Sequence, residues 1–326
     1  MRTMRFIACA VLAAACNSFE NPEVVLDFRV LAMSAEPPEQ VIDVDINDPA
    51  PPVELLEQVV PTEVCVLLSD AGTDRRLRWE MSVCSLDNNL RCNGGSPSFV
   101  IGSGIWEDPE LAATPAQFCD TVPANGNLLA VALYSFENDQ YRGLGGIYYG
   151  VSLRVGGEDA DPELDLYAAK NLRLMPRIPA DIEANQNPSL DHVDVAVPDA
   201  EPMPLAFGRC LDQASPLEIL AGTRVRLTPV EPEGAREPYV VPTTDGSSRM
   251  FTESLTYQWL ASMGNYSAGS TGGPRDPFGN PATLFTDWRA PGADDLTGPT
   301  DVELWLIQRD ERLGLKWYAS CIRVVP

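Results

Sequence analysis

The residues most able to do chemistry as a group are the acidic and amide side chains between positions 43 and 54. Asp43, Asp45, Asn47 and Glu54 fall at positions 1, 3, 5 and 12 of a twelve-residue loop, which is the ligand spacing of one common type of calcium-binding loop. Position 6 is Asp48, where that loop type needs glycine. Two interpretations therefore stay open, a Ca²⁺ site and an acidic surface loop without an ion. Beyond this Ca²⁺ option the sequence predicts no metal or cofactor.

The N-terminus carries a second kind of chemistry. Residues 1–5 contain two arginines and precede an apolar run over residues 6–15, the pattern of a secretory signal peptide and too short for a membrane-spanning helix. The run ends in Ala13-Ala14-Ala15-Cys16, which resembles the bacterial lipobox. The resemblance implies cleavage before Cys16 and its modification with acyl chains such as palmitate, with the outer membrane favoured because Asn17 follows. Ordinary secretion without lipid is the alternative.

The remaining cysteines predict a disulfide framework. They are Cys65, Cys84, Cys92, Cys119, Cys210 and Cys321. An even number of cysteines in an exported chain indicates three disulfides, for which 15 connectivities exist. Positions favour Cys84 with Cys92 around a polar loop, Cys65 with Cys119 in the first half, and Cys210 with Cys321 in the second. No CxxC pair is present, so a thiolate metal site is disfavoured.

Charge and composition exclude several classes of function. The 326 residues contain 23 Lys and Arg against 47 Asp and Glu, a net charge of −24, which argues against a nucleic-acid groove. His192 is the one histidine, and no Gly-x-Ser-x-Gly elbow occurs, which disfavours nucleophilic catalysis by a histidine-assisted serine. We therefore predict that the protein is not an enzyme. A hydrolase with paired carboxylates is the least favoured alternative.

Most of the chain has the pattern of short strands. The 29 Pro and 24 Gly suit many turns. Arg76–Cys84 alternates apolar and polar residues around Trp79, and Ser254–Ser262 does so around Trp259, so both tryptophans are predicted in sandwich cores. Residues 128–135 and 146–155 are predicted as a strand pair, and helical periodicity is confined to residues 52–58.

The two halves also resemble each other. An apolar strand, a charged turn with glycine and an aromatic strand occur in both. We align residues 128–135 with 301–308, and residues 147–155 with 315–324, as a divergent internal duplication.

Family resemblance agrees with this pattern. Residues 255–259 (Leu-Thr-Tyr-Gln-Trp), 288–291 (Trp-Arg-Ala-Pro) and the later Arg309-Asp310 and Trp317 resemble bacterial immunoglobulin-like or PKD-like extracellular domains. Residues 25–39, with Trp79 and the cysteines after it, are similar to myxobacterial-type surface lipoproteins without established activity. The resemblance implies two tandem immunoglobulin-like antiparallel β-sandwich domains.

The predicted organisation has five parts. They are a signal peptide (1–15), a lipidated tether (16–23), domain 1 (24–178), a Pro- and acid-rich interdomain segment that can supply the first strand of domain 2 (179–204), and domain 2 (205–326). We expect a lipid-anchored envelope protein with a structural or adhesive role and an unidentified envelope or surface protein as partner.

The alternative function is a carbohydrate- or calcium-dependent adhesin. A sugar-binding platform would use exposed aromatic residues. The candidates for it are Trp106, Tyr148, Tyr149, Trp305, Trp317 and Tyr318.

Overall fold

The computed structural model describes residues 21–44, 52–69, 76–86, 89–92, 94–106, 116–243 and 245–326. The signal peptide, Cys16, Asp45 and Asn47 lie outside these ranges. Within them the protein is predominantly β, as predicted, and its strands form two β-sandwiches in tandem.

The first sandwich joins a three-stranded sheet, β1-β3-β6, to a five-stranded sheet, β2-β8-β7-β4-β5. Its elements are β1 (Arg29–Glu36), β2 (Glu39–Ile42), α1 (Pro52–Leu56), β3 (Thr62–Ser69), β4 (Leu77–Cys84), β5 (Ser98–Trp106), β6 (Ala116–Val122), α2 (Gly126–Asn138), β7 (Ile147–Gly157), a 3₁₀ helix at Pro162–Leu164, and β8 (Leu166–Pro176). Alternation places Leu77, Met81 and Val83 of β4 in the core between the sheets. Trp79 is half-buried at the edge of that core, 4.7 Å from Phe118 between ring centroids.

The prediction of a strand over residues 128–135 is wrong, because this segment lies in helix α2. Asn125 caps the helix, since its side chain accepts from the N–H groups of Asn127 and Leu128 at 2.9 and 3.2 Å. Leu128, Val131 and Ala132 are buried against the first core, and their i, i+3, i+4 spacing is that of one helix face. Because the apolar residues of this segment follow one another without interruption, its helical periodicity is not visible in the sequence.

The second sandwich pairs the sheet β10-β9-β12-β18-β16 with the sheet β11-β20-β19-β15-β17, and β13 and β14 form a separate two-stranded sheet. Its elements are β9 (His192–Ala196), β10 (Met203–Leu205), a 3₁₀ helix at Cys210–Asp212, β11 (Leu217–Leu220), β12 (Arg224–Val230), β13 (Pro238–Pro242), β14 (Ser248–Thr252), β15 (Thr256–Ala261), β16 (Asn265–Tyr266), β17 (Ser270–Gly272), β18 (Thr286–Arg289), a 3₁₀ helix at Ala293–Asp295, β19 (Thr300–Arg309) and β20 (Leu315–Val325). Trp259 is 2% exposed in its core.

One five-stranded sheet in each sandwich has the same strand order, β2-β8-β7-β4-β5 in the first and β11-β20-β19-β15-β17 in the second. In each, an early strand pairs in parallel with the last strand, β2 with β8 and β11 with β20, so these two pairs are exceptions within the predicted antiparallel sandwiches. The last two strands then form a hairpin next to the strand that carries the tryptophan, β4 or β15. This arrangement is immunoglobulin-like.

The internal repeat is present, but our alignment of it is displaced. Residues 147–155 lie in β7, which occupies the position of β19 rather than of β20. Helix α2 has no counterpart among the described strands and helices of the second half, so residues 128–135 do not correspond to residues 301–308.

Three disulfides brace the sandwiches, with the predicted pairing. Cys65–Cys119 joins neighbouring strands β3 and β6, Cys84–Cys92 closes the loop after β4, and Cys210–Cys321 ties the 3₁₀ helix at Cys210–Asp212 to β20. Glu63 lies close to Cys65 and Cys119, but sulfurs in a disulfide are not available as thiolate ligands.

Candidate functional site

The outer faces of the two sandwiches meet in an apolar cluster, which we call the junction cluster. Its buried members are Val25, Leu31, Ala32, Leu67, Leu260, Trp305, Ile307 and Leu315. The segment before β1 also exchanges backbone hydrogen bonds with β15, because Val25 N–H donates to Ala261 O and Ala261 N–H donates to Glu23 O, both at 2.9 Å. Apolar packing of this kind holds two domains in one orientation, whereas small polar interfaces leave them free to move.

Arg312, on the turn between β19 and β20, forms the polar half of the junction. Its side chain is 7% exposed, and Nη2 donates to Glu39 Oε1 at 3.0 Å and to the carbonyl of Glu183 at 2.9 Å. Nη1 lies 3.5 Å from Glu253 Oε1. One guanidinium therefore connects β2 of the first sandwich, the connecting segment and the second sandwich.

Glu39 receives donors from both sandwiches. It is 1% exposed, pairs with Arg173 of β8 as well as with Arg312, and accepts from Asn185 N–H at 3.0 Å. Asn185 in turn donates Nδ2 to Asp310 Oδ2 at 3.0 Å. A buried carboxylate with this many partners becomes costly when one partner is removed, because an uncompensated charge then stays buried.

Two further groups at the junction have pKa values that burial shifts towards neutral pH. Burial raises the pKa of Glu253 to about 7, and the negative charge of Asp310 adds to this rise. Burial lowers the pKa of Lys170 to about 8, while its Nζ donates to the carbonyl of Leu313 across the junction. Both groups therefore change charge close to neutral pH.

Glu303 of β19 is a buried carboxylate of a different kind. It is 2% exposed, and no side chain among the described residues donates a hydrogen bond to its carboxylate. Burial raises its pKa to about 7, against the weaker opposing effects of the Cys210 backbone and the Arg209 guanidinium. The 3₁₀ helix at Cys210–Asp212 packs against β19 beside it.

The calcium candidates that the structure describes are Asp43 and Glu54. Asp43 Oδ1 accepts from Arg177 Nε at 2.6 Å, and Glu54 lies in the first turn of α1. One oxygen of Asp43 is therefore held by a cation, and the Ca²⁺ site stays a prediction. The lone His192 lies 3.3 Å from Asp194 Oδ1 on β9, which pairs with β10 on one side and β12 on the other.

Burial excludes two of the aromatic residues proposed for a sugar-binding platform. Trp305 is 3% exposed in the junction cluster, and Tyr149 is 3% exposed in the first core. Trp106 packs on Phe118, with ring centroids 5.0 Å apart. Tyr148 is half exposed on the outer side of β7.

Sequence reasoning missed the junction and Glu303. Glu39 and Arg312 are 273 residues apart, and their residue types alone suggest a solvated surface. The one sequence signal was Glu303 itself, an acid within the apolar run Val302–Ile307.

No helix in the described part of the chain is long and apolar enough to cross a membrane. No protein-family model matches the chain, and no curated protein matches it.

Three solved structures are similar over most of the chain. Red sea bream transglutaminase is 9% identical with a TM-score of 0.25, over 93% of this chain and 32% of that one. A structure described as a biofilm associated protein, BSP domain, is 7% identical with a TM-score of 0.26, over 95% of this chain and 61% of that one. A structure described as BspA_C_WT is 9% identical with a TM-score of 0.19, over 81% of this chain and 93% of that one. The chain thus spans less than two thirds of the length of the first two matched proteins. TM-scores this low do not establish a shared fold or a shared function.

Proposed function

We propose that the protein is an exported, lipid-anchored, non-catalytic component of the bacterial cell envelope with a structural or adhesive role. The observation that carries this proposal is the junction, which couples two immunoglobulin-like sandwiches through an apolar cluster and the buried Arg312 network. A rigid tandem presents its surfaces at a set distance and orientation from its attachment point, as a spacer or adhesive module requires.

Two further features support an extracellular setting. The three disulfides are typical of an oxidising compartment. The net charge of −24 keeps an exported protein soluble and repels anionic lipid, so attachment would depend on the acyl chains.

The anchor is tested by the substitution Cys16→Ser in the full chain. We expect the parent protein in the membrane fraction and the variant in the soluble fraction, because an unlipidated chain keeps no acyl group to hold it. Cys9→Ser is the matched control, since this cysteine lies inside the predicted signal peptide and leaves with it. Membrane retention of Cys16→Ser, or release of both variants, would reject the anchor.

A further inference from the structure

The outer face of the sheet that contains β12 and β18 carries a cluster of arginines, which we call the arginine face. Arg224 and Arg226 of β12 and Arg289 of β18 are exposed, while Val225 and Trp288 between them are fully buried. Because side chains alternate along a strand, the three arginines share the outward side.

The pairing register brings these cations together. Arg224 lies directly opposite Arg289, and Arg226 lies opposite Asp287. Asp287 is 3.0 Å from Arg226 Nε and 3.8 Å from Arg224 Nε, and Arg289 has no ion-pair partner among the described residues. Like charges directly opposite each other destabilise an antiparallel pair. The three arginines therefore outnumber the acids beside them.

This surplus is unusual in so acidic a chain. Three arginines against Asp287 and Asp194 give the face a net charge of 3 − 2 = +1, against −24 for the whole chain. The next acid on this face, Asp194, lies opposite Thr228, one residue pair beyond Arg226 on the outward side. An uncompensated cluster on an exposed sheet is expected to serve an anionic ligand.

The exposure and spacing of these arginines indicate which kind of anion the face can bind. The side chains of Arg224 and Arg226 are 65% and 50% exposed, and each exposed ion pair is weak. A ligand gains affinity here by repeating its anionic group along the strands, where alternate residues are spaced about 6.6 Å apart. Phe285, under the Arg226 guanidinium at 3.8 Å, adds an apolar surface beside the charges.

We propose that the arginine face binds an acidic polysaccharide through its carboxylate groups. Guanidinium groups recognise carboxylates by paired hydrogen bonds. An acidic pyranose polymer also suits an exposed sheet face, because each sugar ring carries one charge and an apolar side. Nucleic acid is a poorer fit, because its binding draws on many more phosphate contacts than three arginines supply. The inference rests on the proposed envelope role and names the ligand class for it.

The test measures binding of the purified protein to polygalacturonate, with neutral dextran, a single-stranded oligonucleotide and anionic lipid vesicles as comparison probes. We expect binding to polygalacturonate that weakens as salt rises, and none to dextran. The double variant Arg224→Gln/Arg289→Gln should lose about fivefold in affinity, which is the effect of removing two exposed ion pairs of ordinary strength. The matched control is Arg249→Gln/Arg275→Gln, which removes the same charge from exposed positions outside this sheet, and it should stay within about twofold.

Two readouts protect the test against simple misfolding. The double variant should melt at the same or a higher temperature than the parent, because it removes the opposed pair Arg224 and Arg289. Asp287→Asn should strengthen polygalacturonate binding, because it raises the charge of the face. Absence of binding by the parent, equal loss in both double variants, or stronger binding to the oligonucleotide or vesicles would overturn the inference. Because these assays do not need the lipid, they can fail while the Cys16→Ser result stands, and the reverse.

Discussion

Neutralising Glu303 should make the protein more stable at pH 8. The folded state raises the pKa of this carboxyl from 4.5 to about 7 because it is buried. Between those two pH values the folded state binds more protons than the unfolded state, so stability falls as pH rises. The substitution Glu303→Gln keeps the shape of the side chain and removes the ionisation.

The size of the effect follows from the pKa difference. A shift of about 2.5 units at 1.36 kcal/mol per unit corresponds to roughly 3 kcal/mol when the carboxyl is fully ionised. Between pH 5 and pH 8, about 2.5 kcal/mol of this is lost. We expect the stability advantage of Glu303→Gln over the parent to grow by that amount across this range.

The assay is urea unfolding at pH 5, 6, 7 and 8, followed by tryptophan fluorescence and extrapolated linearly to water. The control is Glu218→Gln on β11, which makes the same chemical change on an exposed side chain. The measured quantity is the difference between the two variants, which cancels the contribution of Glu253. Parallel stability curves for Glu303→Gln and the parent, or a variant less stable at pH 8, would refute the assigned burial cost.

Three other predictions concern the junction, a disulfide and the helix. Arg312→Met should destabilise the protein by about 3–5 kcal/mol, because it leaves buried carboxylates without their shared cation. Calorimetry of this variant should resolve two unfolding transitions. The control variant Arg323→Met removes an arginine from a more exposed ion pair and should cost about 1 kcal/mol or less. Replacing Cys210 and Cys321 by serine should cost up to about 4–5 kcal/mol in urea unfolding, since the bridge closes a separation of 111 residues. Asn125→Ala should cost about 1 kcal/mol through the lost helix cap, measured by the same unfolding. The respective predictions would be contradicted by a single calorimetric transition for Arg312→Met, an unchanged urea midpoint for the double serine variant, or an unchanged free energy of unfolding for Asn125→Ala.

Local patterns were enough for part of the fold. Strand alternation located β4 and β15 and the tryptophans they carry, because one face of each strand is buried and the other is not. The disulfide pairs followed from their places along the chain. The helix at Gly126–Asn138 was missed although Leu128, Val131 and Ala132 marked its buried face, because an apolar run fits a strand and a buried helix alike.

The sequence by itself determined the β-rich class, the cysteine framework and the predicted export signal, since each depends on residue type and short spacing. Only the tertiary structure decided the junction and the arginine face. Glu39 meets Arg312 across 273 residues, and Arg224 faces Arg289 through strand register. Both depend on which strands become neighbours, and that is decided by burial of the whole core rather than by any local pattern.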